Sequence, residues 1–185
     1  MKGSDNMPGD VGLWVFAYGS LIWNPGFTPV HRESALLRGY HRSFCMSSVH
    51  YRGTAEAPGL VLALDRLDGA SCQGIALGVR RDDRDQVLDD LRERELVSSA
   101  YLEAWLPVRL ASGREVEAVV YVVDPEHDQY CGGLSRDDQA RIIARAHGHR
   151  GPNREYLENT AAHLHELGLP DADLDWLVAE VTKLG

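Results

Sequence analysis

Between positions 13 and 123 the chain spells one pattern six times: a short apolar or alternating run, then a cluster of turn residues. The runs occupy 13–18, 42–49, 60–64, 73–79, 101–110 and 115–123, and runs of that length and period predict strands. Ser112-Gly113 between the last two predicts a hairpin, because glycine reaches the positive φ that tight connections need. One amphipathic helix interrupts the series, opening at Asp82 or Asp83 and running through Val87, Leu88 and Leu91 to about Leu96. Beyond 123 the period changes to that of helices. Ser135, with Asp138 three residues on, caps a helix that Gly148 stops, and Asn153 caps a second with Tyr156, Leu157, Thr160, Ala161 and Leu164 on one face. A last helix is expected over 173–184. Strands first and helices later predict an α+β fold rather than a regularly alternating parallel one.

The 185 residues suit one domain, and no internal repeat or low-complexity linker divides them. Residues 1–10, with Gly3, Ser4, Pro8 and Gly9, are expected to form a flexible N-terminal tail, and 11–185 a single domain. Nineteen Lys and Arg against 28 Asp and Glu leave a formal charge of -9, which lacks the basic field that neutralises nucleic-acid phosphates. Nucleic-acid partners are therefore not expected. Cys45, Cys72 and Cys131 form no C-x-x-C pair and are odd in number, so they read as core thiols of a reducing compartment. The opening residues lack the pattern of a signal peptide, and the early apolar run 13–17 is far shorter than the roughly 20 residues a bilayer requires. A cytoplasmic protein without membrane contact is the expectation.

Three features carry possible chemistry. In Val15-Phe16-Ala17-Tyr18-Gly19-Ser20-Leu21-Ile22-Trp23 an apolar strand runs into Tyr-Gly-Ser, where Gly19 permits close backbone approach and leaves amides and the Ser20 hydroxyl to hold a small anion. A tight turn without a ligand uses the same residue types. In Leu91-Arg92-Glu93-Arg94-Glu95, Glu95 falls on the stripe of Leu88 and Leu91, while Glu93 projects to the far side. A carboxylate on a core-facing stripe near a helix C-terminus is a candidate for a raised pKa and general-base work. The alternatives are a structural carboxylate paired with Arg92 or Arg94, or a frayed end that leaves Glu95 in water. Gly148-x-x-Gly151-Pro152-Asn153 could offer amides to an anion, but the lysine and Ser/Thr of a P-loop are missing. His147-x-His149 and His163-x-His165 have neither the spacing nor the companions of a zinc site, so no metal and no cofactor are expected.

Taken together, these segments resemble the ChaC-like family of glutathione-specific γ-glutamylcyclotransferases. The resemblance covers nearly all of the chain. It rests on the segment 15–23, on Gly39 through Arg42-Ser43-Phe44-Cys45, on Arg52-Gly53-Thr54 with the run from Pro58-Gly59 to Leu64, on Arg94-Glu95, and on Gly148 through Asn153 to Glu155-Tyr156-Leu157. It implies a small mixed β-barrel flanked by helices, so that 11–185 would be one γ-glutamylcyclotransferase-like domain. It further implies glutathione as substrate, Val15, Phe16, Ala17, Tyr18, Gly19, Ser20 and Leu21 as the γ-glutamyl pocket, and Glu95 as the catalytic acid/base. Arg52, Tyr101 and Tyr156 are candidate contacts to the leaving group; an Arg before a Gly turn is also a common surface pairing, and a Tyr on an apolar face a common core residue. The chain departs from the family at Ala17, where members usually have Gly, and at Ser99-Ala100, where a Gly usually precedes Tyr101. Both departures bear on pocket shape. A cyclotransferase for other γ-glutamyl amino acids or amines shares this chemistry, and a non-catalytic γ-glutamyl-binding or regulatory module is the reading of another class.

Overall fold

The apolar run that opens the chain becomes β1, Val11–Ala17, in a computed structural model that describes residues 9–185. Leu13, Trp14, Val15, Phe16 and Ala17 are all buried, so both faces of this strand are covered, as expected for a run with no polar alternation. β1 lies antiparallel to β3 (Gly59–Arg80), with Ala17 opposite Ile75, and parallel to β5 (Glu115–Val123) at Val15 and Val119. β2 (His31–Ser48) runs antiparallel to β4 (Tyr101–Leu110), with Ala35 opposite Leu110. The hydrogen-bonded order β1-β3-β2-β4-β5 closes on itself, giving a mixed five-stranded barrel without free edges. Among the described residues four α-helices, three of them after the last barrel strand, complete an α+β fold.

The chain resolves into two compact units. One takes the N-terminal part up to His41 together with Arg66–Val122; the other takes Arg42–Asp65 and Val123–Gly185. The first unit holds β1, most of β2 and β3, β4 and β5, and the helix α1 (Arg84–Glu95), which a short 3-10 turn over Arg81–Asp83 precedes. The second holds α2 (Arg136–Arg145), α3 (Asn153–Glu166) and α4 (Ala172–Leu184), with the two-residue strands β6 (His147–Gly148) and β7 (Gly151–Pro152) between α2 and α3. Ile143, Leu157, Leu164, Leu174, Leu177 and Val181 form its helical core. Arg42 is buried there and reaches Asp171 at 3.3 Å, while the other oxygen of that carboxylate caps α4 by accepting from the amides of Asp173 and Leu174.

Several sequence expectations are corrected. The runs 60–64 and 73–79 are one strand, and the run at 42–49 is the end of a strand that begins at His31. The exposed Arg66, Asp68 and Gly69 read as a turn, yet they lie within one strand; Gly69 there and Gly39 in β2 take φ +83, a conformation glycine reaches without steric cost. α2 ends at Arg145 rather than at Gly148, because Ala146 is already extended. Asn153 is the first residue of α3 and not its cap: its side chain turns to β3, accepting from the Leu60 amide at 2.7 Å and donating to the Leu60 carbonyl at 2.8 Å. Cys45 and Cys72 are buried thiols as expected, but Cys131 is only half-buried. The hairpin at Ser112-Gly113 forms, with Gly113 at φ +89, and Ser135 caps α2 by accepting from the Asp138 amide. Of the expected tail, all but Gly9 and Asp10 lie outside the described residues; the Asp10 carbonyl accepts from Arg81. Among the described residues no helix is long and apolar enough to cross a membrane.

Candidate active site

The Tyr-Gly-Ser segment sits where β1 stops. Val15, Phe16 and Ala17 are wholly buried in the barrel, so only Tyr18, Gly19 and Ser20 of the expected pocket retain exposure, with Leu21 buried beneath them. Ser20–Ile22 wind into a single 3-10 turn, in which the Ile22 amide donates to the Gly19 carbonyl and Asn24 to that of Ser20. The Tyr18 hydroxyl donates to the Tyr121 carbonyl on β5 at 3.0 Å, anchoring the turn to the barrel. Ala17 occupies an ordinary strand position opposite Ile75, which places no demand for glycine there.

Glu95 is the last residue of α1, one and two turns beyond the buried Leu91 and Leu88. Its side chain is 19% exposed, so the stripe reading holds, and Glu93 points to solvent. Burial raises the Glu95 carboxyl above the ordinary glutamate range, against the opposing pull of the Arg94 cation. The sequence offers Arg94 as a pairing partner of Glu95 and as part of the Arg94-Glu95 block, and the structure gives it further contacts. Its Nε lies 3.3 Å from Glu95 Oε1, its Nη2 donates to Ser20 Oγ at 3.2 Å and its Nη1 to the Asn24 carbonyl at 2.6 Å. One guanidinium therefore joins the Tyr-Gly-Ser turn to the carboxylate, and it also borders a small cavity of about 60 Å³ lined by Pro25, Phe27, Val87 and Leu91.

A second cluster flanks the same helix end. Arg92 grips Glu103 of β4 with two parallel hydrogen bonds of 2.8 and 2.9 Å, which hold that carboxyl below its usual range. Tyr121 donates to Glu103 at 3.3 Å, and burial, Glu103 and, more weakly, Glu95 push its phenol up, so it stays protonated within electrostatic reach of Glu95. Sequence reasoning missed Glu103 and Tyr121. The available signal was the Glu103-x-Trp105 spacing, which puts both on one face of β4, where the Trp105 indole also donates to Glu103.

The remaining candidates divide. Tyr101 opens β4 in the same unit as Glu95 and is half-buried. Arg52 and Tyr156 belong to the second unit and meet each other there: the guanidinium lies 5.6 Å from the Tyr156 ring centroid and donates to the Pro152 carbonyl. The Tyr156 hydroxyl accepts from the Leu62 amide at 3.2 Å, and its ring packs edge-on against Phe44. Gly148-x-x-Gly151 is no anion cradle, because His149, Arg150 and Asn153 donate their amides to the carbonyls of His50, Tyr51 and Ala146. Its glycine is there for backbone packing: a Cβ on Gly148 would stand 2.4 Å from the Gly53 nitrogen. His163 meets the Asn159 carbonyl and His165 meets Asp175, so the second histidine pair faces two different partners. Among the described residues no group of three or more His, Cys, Asp or Glu could hold a metal ion.

Residues 13–184 match the model of the family described as ChaC-like protein. A glutathione-specific gamma-glutamylcyclotransferase of Escherichia coli (strain K12) is 36% identical over 177 residues, covering 96% of this chain and 76% of the relative. Gamma-glutamylcyclotransferase 2-3 of Arabidopsis thaliana is 32% identical over 178 residues, 93% of this chain and 89% of the relative. Among solved structures, a yeast gamma-glutamyl cyclotransferase specific to glutathione superposes with a TM-score of 0.80 at 24% identity, covering 94% of this chain and 97% of that one, which shows the shared fold. With a family match along almost its whole length and relatives above 30% identity, the chain belongs to the ChaC-like family.

Proposed function

We propose that this chain is a γ-glutamylcyclotransferase that cleaves glutathione into 5-oxoproline and Cys-Gly, with Glu95 as its general acid/base. The observation that carries the catalytic assignment is a half-buried carboxylate at the end of α1, its pKa raised by burial, tied through one arginine to the Tyr-Gly-Ser turn. The names of its relatives support the substrate.

The reaction is an internal transfer. Glu95 takes a proton from the α-ammonium, and the freed nitrogen attacks the γ-carbon and closes a five-membered ring. Glu95 then returns a proton to the cysteinyl nitrogen as its bond to the γ-carbon breaks. The ring nitrogen sheds its second proton by the same route, so the dipeptide leaves as an ammonium and Glu95 ends ionised. No water is consumed. A carboxyl with a raised pKa suits this work because it accepts a proton more readily than an ordinary carboxylate and can still return it. Holding the flexible chain folded back on itself supplies several kcal/mol of barrier lowering by orientation. The amides and hydroxyl at Tyr18, Gly19 and Ser20 are suited to the α-carboxylate or to the γ-carbonyl oxygen as charge develops there. Tyr101, in the same unit as Glu95, is the contact assigned to the leaving group. We assign 11–185 to one domain on the ground that neither unit is contiguous in sequence, and we place the protein in a reducing cytoplasm on its free thiols.

Purified protein mixed with reduced glutathione, γ-glutamyl-alanine and a γ-glutamyl amine in separate tubes, followed by proton NMR, tests this reading. Release of 5-oxoproline and Cys-Gly from glutathione alone is the expected result. Turnover of only the other two would replace the substrate, and turnover of none would point to a binding module.

A further inference from the structure

Resting on the functional reading above, the contacts of Arg94 bear on how the substrate's head is held. A γ-glutamyl head carries an α-carboxylate and an α-ammonium on one carbon, so its receptor needs a cation and an anion side by side. Arg94 and Glu95 are such a pair, 3.3 Å apart. Of the two arginines in the last turn of α1, Arg92 is engaged on both prongs by Glu103. Arg94 instead makes single contacts to Glu95, Ser20 and Asn24, which account for three of the five N–H groups of a guanidinium among the described residues. Its side chain is one-third exposed, so a ligand can reach the other two. An ion pair at this degree of exposure is worth about 1 kcal/mol or less, so it exchanges readily for the matching charges of a zwitterion.

We propose that Arg94 is the α-carboxylate receptor: the guanidinium resting between Ser20 and Glu95 takes the substrate's α-carboxylate, while Glu95 takes the neighbouring α-ammonium. Ser20 Oγ, which accepts from Arg94, keeps its own hydrogen to donate to the same carboxylate. Binding then activates the base. As the Arg94 charge is shared with the incoming carboxylate, its pull on Glu95 falls, and the carboxylate that faces the ammonium becomes the stronger proton acceptor. The Gly19 amide is left for the γ-carbonyl oxygen. A γ-glutamyl compound whose α-carboxyl is neutral should therefore be discriminated against through Arg94 specifically.

The test compares kcat/KM for glutathione and for glutathione amidated at its α-carboxyl, in wild type, Arg94→Gln and Arg94→Lys, with lactam release followed by NMR. Wild type should prefer the carboxylate by about ten- to a hundredfold, the range for one charge-assisted hydrogen bond. In Arg94→Gln the preference should collapse towards unity, and Arg94→Lys should restore part of it. Equal losses on both substrates, with the preference intact, would overturn the assignment and leave Arg94 a structural tie. Should Arg94→Gln fail to fold, the Arg94→Lys preference decides alone, since unchanged discrimination there contradicts a forked carboxylate contact. If wild type converts neither substrate, the catalytic reading has failed, and titration with 5-oxoproline against its carboxamide still decides for Arg94: equal affinity for the two refutes it.

Discussion

Ser99 stands at φ +57 in the loop between α1 and β4, the one described non-glycine residue with positive φ. That backbone conformation favours glycine. A left-handed conformation costs an L-residue about 1–2 kcal/mol, because Cβ crowds the following carbonyl. Glycine escapes that cost but loses about 0.5–1 kcal/mol more chain entropy on folding. The Ser99 side chain is exposed, and the bond that fixes the loop, from the Ser99 amide to the Leu96 carbonyl at 3.1 Å, survives substitution. Ser99→Gly should therefore stabilise the protein by about 0.5–1 kcal/mol, a rise in Tm of about 1–4 °C for a chain of this size. Ser99→Val should lower Tm, since a branched Cβ fits this region least. Differential scanning calorimetry of the three proteins reads the effect. A Ser99→Gly protein that melts at or below wild type, or a Ser99→Val protein that melts above it, would refute the reasoning.

Other outcomes follow from the same structure. Glu95→Gln should abolish glutathione turnover while Glu93→Gln leaves it nearly unchanged, measured as 5-oxoproline release. The Glu95 pKa is raised in the folded chain, so its ionisation opposes folding: stability is full below the unfolded pKa, where the carboxyl is protonated, and is lost as pH rises through the folded one. Glu95→Gln should then melt above wild type at pH 7, with the difference shrinking towards pH 4 in parallel thermal scans. The acid limb of kcat/KM should lie above the 4.5 of an ordinary glutamate, set by burial against Arg94, with Tyr121 neutral beside it and Glu103 ionised on Arg92. Asn153→Ala should cost about 2–5 kcal/mol in urea unfolding, because it orphans the buried amide and carbonyl of Leu60 together; a loss under about 1 kcal/mol would contradict the account.

Elements whose own residues carry the signal were legible in the sequence. β4 and β5 are apolar-rich runs on either side of the Ser112-Gly113 turn and match their expected bounds, and the stripe of Leu88 and Leu91 places Glu95 from sequence alone. β3 was not legible as one strand, because a barrel strand is held through its backbone and tolerates the exposed Arg66 to Gly69 stretch that reads as a turn. The site was half legible for a similar reason. The position of Glu95 follows from local period, whereas the tie from Arg94 to Ser20 spans 74 residues and the Tyr121 to Glu103 contact spans 18, and no local pattern encodes either. Arg52 and Tyr156 show the converse: side chains that look available in a motif make their contacts with the Pro152 carbonyl, the Leu62 amide and the Phe44 ring.

The two hydrogen bonds between Asn153 and Leu60 close a loop of 93 residues, and they set an order of events during synthesis. The strand segment around Leu60 leaves the ribosome long before its helical partner exists, so the Leu60 amide and carbonyl lack Asn153 while the first unit's remaining strands emerge. Joining ends that far apart costs about 4 kcal/mol of chain entropy beyond a constant. The second unit therefore matures only once the C-terminal helices are complete, and a nascent chain halted near Val122 presents that waiting strand to chaperones and to its neighbours.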